Sequence, residues 1–162
     1  MGFSPINAFQ RHIYANEQAI YLLRRAADEM ISLIWCLSEW QTKGGYPKEI
    51  KIDCVGAFLN QSPEQHLNPC SQHVHMLAVL NEVANAFKHS FVDSDMNVIG
   101  RDEPCVYALS LDRNKLASGT QFHGVSLVWL AKALTAFYKE GMDWLRAFSE
   151  EYRNRPLMDL IV

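Results

Sequence analysis

The chain is expected to be mostly α: an up-down helical bundle of three to five helices, with a small β-hairpin inserted before the last long helix. Three observations carry that expectation. Apolar residues return every three or four positions along three long stretches. One short stretch, Val106 to Leu111, instead alternates and is rich in β-formers. Gly, Pro and Asp/Ser clusters punctuate the chain between these stretches. With 49% apolar and 20% charged residues, residues 1–162 read as a single domain that buries roughly two thirds of its unfolded surface.

The first helix is expected to open at Ser4-Pro5, a capping hydroxyl followed by a residue preset for the first turn. Its apolar positions include Ile6, Phe9, Ile13, Ile20, Leu23, Ala27, Met30, Ile34 and Leu37, and Gly44-Gly45 ends it. One continuous rod of that length would reach about 55 Å, against about 35–40 Å for a domain of this size. Either the helix breaks near Tyr14-Ala15-Asn16, or its first turns overhang, and both place Ile6, Phe9 and Ile13 where a partner chain would cover them. Ile50 and Ile52 alternate with charged residues and suggest a very short strand, followed by a short helix at Cys54 to Leu59. Asn68-Pro69 repeats the cap-plus-proline start and opens a central helix running to about Val92. Gln121 to Val125 is the expected pairing partner of Val106 to Leu111, and the ribbon must lie on the helices because a lone hairpin is marginal in water. Ser126 caps the last helix, Leu127 to about Tyr152, whose stripe is Leu127, Leu130, Leu134, Phe137, Gly141, Leu145, Phe148 and Tyr152. Gly141 on that stripe suggests a second backbone close by. Pro156 stops the helix, and the apolar tail Leu157 to Val162 is expected to fold back on the core or onto a partner.

Composition narrows the function. The net charge is −3 with no Lys/Arg run, which argues against a broad footprint for duplex DNA. Cys36, Cys54, Cys70 and Cys105 are scattered with no CxxC pair, the pattern of free thiols in a reducing compartment. MGFSPI has neither a signal-peptide pattern nor the Ser/Thr that myristoylation needs at Ile6. The longest apolar run, Ile31 to Leu37, is far short of the ~20 residues that span a bilayer. The expectation is a cytoplasmic protein without a membrane segment. P-loop, dinucleotide-glycine, HExxH and GxSxG patterns do not occur, and no cofactor is expected.

The central helix carries the candidate chemistry. On a 3.6-residue wheel Leu77, Leu80, Ala84, Phe87 and Phe91 form one stripe, and His75, Glu82, Asn85 and His89 lie opposite. The run Ala84-Asn85-Ala86-Phe87-Lys88-His89 resembles the signature of the HEPN superfamily, an Arg followed by a polar residue, often Asn, and then a His a few residues on. Asn85 and His89 match; the Arg position falls on Ala84. The resemblance covers these six residues and the general bundle layout. It implies a small helical bundle that dimerises. In active members it implies a metal-independent ribonuclease in which Arg and His act on the 2′-hydroxyl and phosphate of RNA.

The physical logic is that a His titrating near neutrality moves protons while a fixed cation stabilises phosphorane charge. Here Asn85 and His89 are the candidate catalytic pair. Lys88 projects about 100° away from His89, so Arg24 and Arg25 on the first helix are the candidates to supply the missing cation. The plainer reading of Asn85, Lys88 and His89 is a solvated helix face.

His66, Cys70, His73 and His75 have zinc-ligand chemistry, and Cys70–His73 is a workable i, i+3 pair. However, His73 and His75 project to nearly opposite sides, no second Cys pair closes a tetrahedron, and His73 continues the Leu77/Leu80 stripe as a core histidine would. No metal site is expected. Arg24–Asp28 and Arg25–Glu29 are i, i+4 pairs on a helix flank. Trp35, Trp40, Trp129 and Trp144 read as core and interface filler rather than a stacking platform for bases. The function expected is a non-catalytic HEPN-like module, a homodimer, using Glu82, Asn85, Lys88, His89, Arg24 and Arg25 to contact RNA or a protein partner. A toxin-like endoribonuclease and a purely structural homodimer are the alternatives.

Overall fold

The computed structural model describes residues 8–61, 69–89, 103–110 and 121–153. The fold is mostly α, with helices α1 (Ala8–Lys43), α2 (Val55–Leu59), α3 (Val74–His89) and α4 (Leu127–Tyr152). A two-stranded antiparallel hairpin, β1 (Cys105–Ser110) and β2 (Gln121–Ser126), precedes the last long helix as the sequence predicts. Among the described residues no helix is long and apolar enough to cross a membrane.

Residues pack into two compact units. The first comprises Met1–Arg24 with Val79–Ala131, the second Arg25–Ala78 with Lys132–Val162. In the first, Ile20, Leu80, Val83, Ala84 and Leu130 are wholly buried, and the Tyr21 and Phe87 rings meet at 6.3 Å. The hairpin register pairs Val106 with Val125, both buried, and Tyr107 with Gly124. A Cβ on Gly124 would touch the Tyr107 ring at 3.4 Å, so the ring covers the bare glycine. Phe122 stacks on Tyr107 with an interplanar angle of 12°. The Leu127 N–H donates to the Pro104 carbonyl at 2.9 Å, tying the root of the hairpin to the start of α4. Ser126 caps α4 as expected, its Oγ accepting the Trp129 N–H at 3.1 Å.

The second unit buries Ile31, Ile34, Val55, Phe58, Leu77 and Phe137 completely. Trp40 is also buried, with its ring centroid 4.6 Å from Tyr152, 5.8 Å from Phe148 and 6.2 Å from Tyr46. Trp144 stacks on Phe148 in the same cluster. α2 is short and held by its ends. The Cys54 thiol accepts the Ala57 N–H, and Asp28 Oδ1 on α1 accepts the Val55 N–H at 2.7 Å.

One of the two readings of the first helix is excluded, and several other expectations are corrected. α1 is continuous through Tyr14-Ala15-Asn16, 36 residues and thus about 54 Å. Nothing in those three residues forces a break, since none is Gly or Pro. It ends at Gly44, whose φ of 72° lets its N–H donate to the Trp40 carbonyl at 2.8 Å. Ile50–Ile52 forms no strand, and of its two isoleucines only Ile52 turns inward. The central helix begins as a 3-10 turn, Cys70–His73, with Pro69 at the cap position rather than in the first turn. Gly141 does face a close neighbour, but it is the Met30 side chain, whose Sδ would lie 3.1 Å from an added Cβ. Of the tryptophans read as core and interface filler, Trp35 and Trp40 are buried and Trp129 is 39% exposed. Ser4-Pro5, Ile6, Asn68, Phe91, Val92, Pro156 and the tail Leu157 to Val162 lie outside the described residues, as do the side chains of Phe9 and Ile13.

Candidate functional site

α3 is two-faced for a reason legible in its composition. Leu77, Leu80, Val83, Ala84 and Ala86 are buried, a stripe more than 100° wide. Glu82 and Asn85 follow one another at i, i+3 and both are exposed, so their polar ends stand side by side on the outer face of the first unit. His75, on the second unit's part of α3, is exposed too. Ala84, where the HEPN-type pattern places its arginine, is 0% exposed. That position points into apolar packing, where a guanidinium would be stranded. The side chains of Lys88 and His89 lie outside the described residues, although both belong to α3.

The two candidate arginines fall in different units. Arg24 is half-buried on α1 in the first. In the second, Arg25 Nε donates to Glu29 Oε1 at 3.0 Å, with both side chains well exposed, as the i, i+4 spacing predicts. Asp28, the expected partner of Arg24, places Oδ1 on the Val55 N–H. Lys43 and Glu39 form another such pair on α1.

The zinc-type residues resolve into separate roles. Cys70 is fully buried, and loss of solvent pushes its thiol up to about 12. His73 is the hydrogen-bonded core histidine its position on the stripe suggests. Its side chain is 11% exposed, Nε2 lies 2.9 Å from Glu140 Oε2, and its ring meets Phe137 edge-on at 5.5 Å. His66 lies outside the described residues. Among the described residues no three His, Cys, Asp or Glu side chains are arranged to hold a metal ion.

Sequence reasoning had no means of finding two further features. Glu140 is 67 residues from His73, so only the fold joins them. On the second unit an open groove of about 540 Å³ is lined by Arg25, Glu29, Leu33 and Cys36 of α1 together with Asp53. Burial raises the Cys36 thiol, so that cysteine is a poor nucleophile. No family model, no curated protein and no solved structure matches the chain.

Proposed function

We propose that this chain is a cytoplasmic, non-catalytic HEPN-like module that works as a homodimer and docks a protein partner through the exposed face of α3 around Glu82 and Asn85. The observation that carries the reading is the burial of Ala84 beside an exposed Asn85. The helix keeps the polar position of the motif on its surface and sinks the position that would carry the charge stabiliser. A ribonuclease without that cation loses the electrostatic contribution that usually dominates such catalysis. Glu82 on the same face favours a protein over RNA, because a carboxylate one turn from Asn85 repels phosphate. Four free cysteines and the lack, among the described residues, of a membrane-crossing helix support the compartment.

The test places a photo-crosslinking side chain at Asn85 in the expressed protein. A crosslinked polypeptide that disappears when Glu82 is replaced by Lys supports the reading. Crosslinked RNA moves the function to nucleic-acid binding, and absence of any crosslink overturns the docking face. A ribonuclease assay runs beside it, and cleavage abolished by His89→Ala would establish the enzymatic alternative.

A further inference from the structure

We draw no further inference here: the strongest candidate, the open acidic groove of the second unit between α1 and Asp53, has Glu29 engaged by Arg25 and Asp28 by the Val55 N–H, and nothing among the described residues points to a ligand that fills it.

Discussion

Replacing Asp28 by Ala is expected to destabilise the second unit by about 2 kcal/mol. The carboxylate accepts the Val55 N–H at 2.7 Å in a part-buried setting. Val55 is the first residue of α2, so its N–H belongs to the group a helix cannot satisfy internally. With the side chain gone, that N–H is left without its acceptor while Val55 and Phe58, both at 0% exposure, hold the segment against the core. Hydrogen bonds to charged groups contribute about 1.5–3 kcal/mol, and an orphaned buried donor costs a similar amount. For a chain of this length 2 kcal/mol corresponds to a fall in melting temperature of about 4–8 °C. Asp28→Asn keeps an acceptor but loses the favourable charge at a helix N-terminus, and is expected to lose about half as much. Calorimetry of the three proteins measures the ranking, and amide hydrogen exchange at Val55 to Phe58 locates it. An alanine variant melting within about 1 °C of the parent, or an asparagine variant equal to the alanine one, would refute the reasoning.

Four further outcomes are expected. Gly141→Ala gains about 1 kcal/mol of helix propensity but presses on Met30, and a buried thioether that bends offsets it to near zero; Gly141→Leu has no such escape and loses about 1–3 kcal/mol by overpacking, both read from urea midpoints. Ser126→Ala removes the cap on Trp129 and costs about 1 kcal/mol by the same assay. In the folded protein Cys70 resists thiol reagents at pH 8 while the partly exposed Cys54 reacts, which peptide mass spectrometry resolves. The raised Cys70 pKa also has a sign: the folded state holds this proton between about pH 9 and 12, where the unfolded thiol has lost it. Its contribution is therefore complete below pH 9 and falls by about 1.4 kcal/mol per unit above it. Cys70→Ala should flatten the alkaline limb of stability against pH, and an unchanged limb refutes the assignment.

The local part of the fold was legible because its causes are local. A Ser before an apolar period is a cap whatever surrounds it, and Ser126 caps α4. Gly44 ends α1 because it alone accepts the left-handed turn there. Val106 and Val125 alternate inward because a strand has two faces. What was not legible depends on distant residues. Ile50–Ile52 has strand chemistry but forms no strand, and the bond from the Val55 N–H to Asp28 Oδ1 joins residues 27 apart. The candidate site divides in the same way. Exposure of Glu82 and Asn85 and burial of Ala84 follow from the helical wheel. Pairing of His73 with Glu140 depends on how the 3-10 turn before α3 meets α4 in the second unit, which no spacing encodes.

The distribution of tryptophans gives each unit its own optical signal. Trp129 is the sole indole of the first unit and is 39% exposed, whereas the second holds Trp35 and Trp40, both buried, and Trp144. Emission from the first should lie to the red of the second, whose Trp40 is enclosed by Tyr46, Phe148 and Tyr152. Coincidence of transitions seen by different probes is the standard for all-or-none unfolding. The chain thus reports, by colour and without any added label, whether its two halves melt as one.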